Sequence, residues 1–234
     1  MGAVRQGRVL EIDLARAIAL LLMMAFHFVV DLSDFMAVPV DYRAGFWYYI
    51  GKIAGTMFIV VAGVSSTFSR NNVRRGLIIM FWGLVITLVT FLVIPDLYIK
   101  WGILHFLGAS MILYPLWARV PSGWLLVLGL VAIAVGQLFF PAWQGNCQML
   151  FPLGLTTASF RSYDFYPLFP WIGVYLLGVW AGRILYPTKR SFIRVFPGSS
   201  WLSFLGQHTL VIYLLHQPVF LTVLFIVQAF SSCF

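Results

Sequence analysis

The chain has 234 residues, of which 62% are hydrophobic and only 9% charged, with a formal net charge of +8. A soluble domain of this length has no way to hide so much apolar surface, so the composition excludes a water-soluble globule and points to an integral membrane protein. The basic residues are scattered through short polar segments without a recognisable nucleic-acid-binding module, so nucleic acid is excluded as the reason for the charge.

Seven apolar segments follow one another, at about 10–30, 46–68, 75–94, 101–118, 123–140, 166–186 and 205–230. Each is long enough to cross about 30 Å of hydrocarbon. Several are continuous apolar runs rather than alternating ones, which predicts a helical bundle and not a barrel. The expected fold is an all-α integral membrane protein of about seven transmembrane helices. Residues 1–234 are read as a single domain, with no linker, low-complexity tract or obvious internal repeat.

The first segment resembles a signal peptide in position only. Its apolar run is too long, Arg16 and His27 interrupt it, and no convincing cleavage site follows, so it is expected to stay as a helix. Orientation follows from the basic residues. Arg5, Arg8, Arg70, Arg74, Arg75, Arg119, Arg183, Lys189, Arg190 and Arg194 flank one set of alternate ends, against Arg43, Lys52, Lys100 and Arg161 on the other. The positive-inside rule places the N-terminus in the cytoplasm, and the location expected is a bacterial cytoplasmic membrane. Cys147 and Cys233 then share the outer side, where a disulfide is permitted but not required.

Within the first segment, Arg16 and His27 are eleven residues apart. At about 100° per residue they share one helix face, about 16 Å apart along the axis. Ionisable residues in hydrocarbon are costly and mark function by default. The separation is near the reach of an extended pantetheine arm, so one end can hold a phosphate while the other meets a thioester. Asp31 lies one turn beyond His27, where a carboxylate can fix the imidazole tautomer; solvation at the interface is the plain alternative. Asp13, one turn before Arg16, offers that arginine an ion pair that would explain it without a ligand.

His105, in the fourth segment, is a second candidate at a depth similar to that of His27. Asp164 precedes Phe165-Tyr166-Pro167-Leu168-Phe169-Pro170-Trp171, where two prolines predict a distorted helix start. A helix cap is the alternative role for Asp164. His216 stands two residues before Pro218 and is expected to serve structure first, with support of a reacting group as its alternative. The four histidines lack the spacing of a metal site, and neither a phosphate loop nor a serine elbow is present, so no metal is expected.

Several short stretches carry a resemblance. Arg8 to Asp13 with Arg16, then Met23-Met24-Ala25-Phe26-His27, Gly102-Ile103-Leu104-His105, and Asp164 through Gly178 resemble the bacterial relatives of heparan-α-glucosaminide N-acetyltransferase. The Arg-to-His spacing, and Ser203-Phe204-Leu205-Gly206 through His216-Gln217-Pro218, are similar to the broader superfamily of transmembrane acyltransferases that decorate bacterial surface glycans. The resemblance implies transfer of an acyl group, commonly acetyl, from cytoplasmic acyl-CoA to a sugar or glycan acceptor on the far side of the membrane.

In that scheme Arg16 holds donor phosphates. His27, helped by Asp31 or His105, is general base, with acyl-histidine formation as the other route. Asp164, Lys100, Trp101 and Trp171 contact the acceptor. The partners implied are acyl-CoA, the acceptor and membrane lipid, and assembly into a homo-oligomer is left open. A small-molecule or proton-coupled transporter is the rival from another class, since such proteins also keep His, Asp and Arg in the membrane.

Overall fold

A computed structural model describes residues 9–140, 143, 145, 147–193 and 199–231. Arg5, Arg8 and Arg194, used above for orientation, and Cys233 lie outside the described residues; Cys147 is exposed. Among the described residues the structure is all-α, with nine α-helices and no sheet. They are α1 (Leu10–Met36), α2 (Gly45–Ser66), α3 (Asn72–Val93), α4 (Ile103–Ile112), α5 (Tyr114–Ala118), α6 (Ser122–Leu138), α7 (Leu168–Leu185), α8 (Ser199–Gln207) and α9 (Thr209–Ser231). Five of them, α1, α2, α3, α7 and α9, are long and apolar enough to cross a membrane; α4 and α6 are shorter apolar helices. The protein is an integral membrane protein.

Local chemistry explains where these helices differ from the expected segments. The fourth segment is two helices, because Pro115 has no N–H to give the Met111 carbonyl and the chain turns at Leu113. The last segment is also two. Thr209 Oγ1 donates to the Leu205 and Gly206 carbonyls at 3.2 and 2.8 Å, competing with the backbone donors where α8 gives way to α9. The distorted start expected of α7 is present: Pro167 is its N-cap and Phe169 departs from helical geometry before the helix becomes regular. α1 runs past Asp31 and ends at Ala37, which adopts the left-handed conformation and donates its N–H to the Leu32 carbonyl.

The chain divides into two compact units, one of residues 1–58 and 189–234, the other of residues 59–188. In the first unit α1 packs on α8 and α9. Its cross-helix contacts advance together along both helices, His27 with His216, Phe28 with Phe220 and Phe35 with Phe225, so α1 and α9 run parallel. At the other end of α1, Glu11 accepts hydrogen bonds from Ser191 Oγ (2.7 Å) and from the backbone N–H groups of Phe192 and Ile193.

In the second unit α6 packs on α7 and α3 on α4. Small residues bring the backbones together, as expected where apolar burial cannot drive helix association in lipid. A Cβ on Gly63 would meet the Tyr175 carbonyl and lie 2.9 Å from the Val179 nitrogen, and one on Gly178 would meet the Val60 carbonyl. Gly178 lies against Val60 and Gly182 against Val64 and Thr67, an advance in the same sense along both helices, so α2 and α7 are parallel. Gly129 against Gly173 and Gly136 against Pro170 make α6 antiparallel to α7. Arg183, in the last turn of α7, donates to the carbonyls of Val120, Trp117 and Ala118 at 2.5, 2.8 and 2.9 Å, closing the end of α5.

Candidate functional site

In the first unit, α1 carries the polar groups singled out from the sequence. Arg16 pairs with Asp13 at 3.5 Å, so the partner expected one turn away is present. The pair is held from the side: Asp13 Oδ2 accepts from Ser203 Oγ at 3.1 Å, and Ser203 Oγ accepts from Gln207 Nε2 at 2.9 Å. Asp13 is the more buried member, with its side chain 9% exposed against 25% for Arg16, so the guanidinium faces the more accessible side.

His27 lies three turns further along. Its Nδ1 sits 3.1 Å from the Met23 carbonyl. A carbonyl only accepts, so Nδ1 carries the proton and Nε2 keeps its lone pair. That is the tautomer a general base requires. The carboxylate–imidazole bond expected from the one-turn spacing of His27 and Asp31 is replaced by this backbone contact. Asp31 is fully buried, and its Oδ1 accepts from Gln217 Nε2 of α9 at 2.5 Å. The ring of His216 packs on that of His27 with centroids 5.0 Å apart. His216 Nδ1 donates to the Tyr213 carbonyl at 2.5 Å. Pro218 instead deprives the Leu214 carbonyl of its helical donor, so His216 is not satisfying the group the proline frees.

The second unit gathers the other predicted residues along two segments, residues 97–103 and 162–166. Tyr163 N–H donates to the Leu97 carbonyl and Tyr166 N–H to the Trp101 carbonyl, each at 2.9 Å. Ser162 Oγ accepts from the Lys100 N–H at 3.1 Å. Asp164 Oδ2 accepts from the Ile103 N–H at 3.0 Å, so its capping role is on α4, sixty-one residues away, and not on α7.

His105 is held at both ring nitrogens. Nδ1 accepts from the Gly102 N–H at 3.2 Å, so Nε2 bears the proton and donates to Thr87 Oγ1 at 3.2 Å. Thr87 in turn donates to the Ile99 carbonyl at 2.7 Å. Trp101 stacks on the His105 ring at 5.5 Å, and its indole N–H is buried without a partner among the described residues. The Lys100 ammonium lies over the rings of Tyr98 and Phe160, at 5.1 and 5.0 Å. Trp171 packs against Tyr166 with centroids 5.1 Å apart.

Four participants escaped sequence reasoning: Met23 through its carbonyl, Gln217, Ser203 and Thr87. Met23, Ser203 and Gln217 stand in stretches already quoted, though nothing marked their roles. Thr87 had no signal; Ser203, Gln217 and Thr87 act on residues far away in sequence, whereas Met23 is one turn from His27.

The family whose description is Heparan-alpha-glucosaminide N-acetyltransferase, catalytic, matches residues 8–218. No curated protein and no solved structure matched the chain.

Proposed function

We propose, for a chain that belongs to the heparan-alpha-glucosaminide N-acetyltransferase catalytic family, that it moves an acetyl group from cytoplasmic acetyl-CoA to a sugar or glycan acceptor at the extracytoplasmic side. Family membership implies a membrane acetyltransferase that uses acetyl-CoA; the acceptor, the sidedness and the residue roles are our reading. The observation that carries it is His27 in α1, with Nδ1 tied to a carbonyl and Nε2 left as a base.

His27 takes the proton from the acceptor hydroxyl or amine as that group attacks the thioester carbon, and CoA leaves as the thiolate. Asp31 shapes the polar surroundings of the base through Gln217. Arg16, about three turns inward, binds the donor phosphates with its planar fork. Lys100, Trp101, Trp171 and Asp164 are assigned to glycan contact in the second unit, with the Trp101 indole N–H available as a donor. His105, engaged at both nitrogens, holds the start of α4 in place and takes no proton. The single match over residues 8–218 runs through both units and supports one acyltransferase domain over residues 1–234.

Incubating the purified protein with radiolabelled acetyl-CoA and glycan acceptors tests this function. Label is expected in the sugar. Sugar movement across vesicles without acetylation would make the protein a transporter instead.

Seven spans with the N-terminus inside fit the helix directions: α1 parallel to α9, α2 parallel to α7, and α6 antiparallel to α7 are the senses that alternating spans require. In a chain carrying Cys147→Ser and Cys233→Ser, an impermeant thiol reagent added outside should modify Arg161→Cys and spare Arg74→Cys. The opposite pattern reverses the orientation.

Arg16→Ala should weaken acetyl-CoA binding by roughly tenfold or more, since a charge-assisted phosphate contact is worth about 1.5–3 kcal/mol. Turnover at saturating donor should change far less, because the contact exists before and during the reaction. Unchanged affinity by calorimetry would reduce Arg16 to a structural partner of Asp13.

A further inference from the structure

Beside His27 the first unit buries three polar atoms that have no partner among the described residues: Asp31 Oδ2, His216 Nε2 and Gln217 Oε1. Asp31 is 0% and His216 7% exposed, so bulk solvent does not satisfy them. Orphaned polar atoms in a native interior call for an explanation, because each forfeits its hydrogen bonds on burial. Their chemistry is uniform. Gln217 Nε2 faces the Asp31 carboxylate, which can only accept, so the outward amide atom is the oxygen. His216 Nδ1 gives its proton to the Tyr213 carbonyl, so Nε2 offers a lone pair. With His27 Nε2, and with Asp31 ionised, these four atoms of the described residues are all acceptors.

Such a lining selects a ligand rich in O–H or N–H groups and repels phosphate or carboxylate, which bring only further lone pairs. The donor's diphosphate therefore does not fit here, whereas adjacent hydroxyl or amino groups of a sugar do. We propose that His216 and Gln217 belong to the acceptor-binding site, taking hydrogen bonds with Asp31 from the hydroxyl or amino groups that flank the reacting one. The assignment rests on His27 being the reacting centre of an acetyltransferase, and extends it to two residues of α9.

The pair His216→Phe and His216→Gln tests it. Phenylalanine keeps a ring against His27, Tyr213 and Phe220 but removes Nε2. Glutamine returns an acceptor at a similar reach. With methyl α-glucosaminide and methyl α-glucoside as acceptors, His216→Phe should raise the acceptor KM roughly tenfold or more and leave the acetyl-CoA KM within about twofold, the scale of one lost specific hydrogen bond. Its melting temperature should change little, because an unpaired buried atom is removed together with the Nδ1 bond to the Tyr213 carbonyl. His216→Gln should restore most of the acceptor affinity.

An unchanged acceptor KM in His216→Phe would overturn the proposal. So would a rise in both KM values with a lower melting temperature, which is the signature of packing alone. Failure of the wild-type protein to acetylate either glycoside would overturn the transferase reading itself, and this assignment with it; that failure is visible before any variant is made.

Discussion

His27→Ala is expected to bind acetyl-CoA almost as tightly as the unaltered protein and to turn over roughly 100-fold more slowly or worse, the usual scale for loss of a positioned general base. That is a barrier increase of about 2.7 kcal/mol. The physical reason lies in the ring's two nitrogens. Nδ1 is spent on the Met23 carbonyl within α1, which orients the imidazole without consuming Nε2. Deleting the ring should remove an interaction proposed for the transition state and leave the proposed phosphate contact of Arg16, about three turns away, untouched. Single-turnover transfer with calorimetry of CoA binding separates the two effects. Normal turnover in His27→Ala would end the catalytic assignment. His105→Ala gives the contrast: its nitrogens are both occupied, so its effect should fall on stability more than on the chemical step.

Gly178→Ala is expected to cost about 3 kcal/mol, the upper part of the range for overpacking, because the added carbon meets the Val60 carbonyl and backbone cannot rotate aside. For a chain of this size that corresponds to a fall of roughly 6–12 °C in melting temperature. Gly123→Ala is the internal control. Nothing lies within 4 Å of a Cβ at Gly123, the second residue of α6, so a gain of up to about 1 kcal/mol in helix propensity, the value for a helix interior, should appear there. The two substitutions are chemically identical and should move thermal melts in detergent in opposite directions. Equal shifts would mean that α2 and α7 do not touch at Gly63 and Gly178.

The bundle was legible because apolar run length is a direct consequence of hydrocarbon thickness. The distorted start of α7 was legible from its prolines, whereas the Pro115 break in the fourth segment was read through, as was the one at Thr209, where a side chain competes with the backbone. The candidate site divided in the same way. Arg16 and His27 declare themselves, since charge and imidazole in lipid are rare, and Asp13 sits at the spacing an ion pair needs. Partners on other helices do not. One-turn spacing made Asp31 look like the companion of His27, whereas the nearest polar hydrogen of the other helix, on Gln217, captured the carboxylate. Asp164 was rightly suspected as a cap, yet the helix it serves begins sixty-one residues earlier.

Asp13 and Asp31 find their hydrogen-bond donors, Ser203 and Gln217, 190 and 186 residues further along the chain. At about 5–20 residues per second, synthesis of that interval takes roughly ten to forty seconds. Through that interval Asp13 has only Arg16, one turn away on α1, and Asp31 lacks the amide that it later accepts from. The helix is thus inserted early and completed late. The two carboxylates receive these donors only once α8 and α9 have been made, so the polar cluster is among the last features of the fold to be completed.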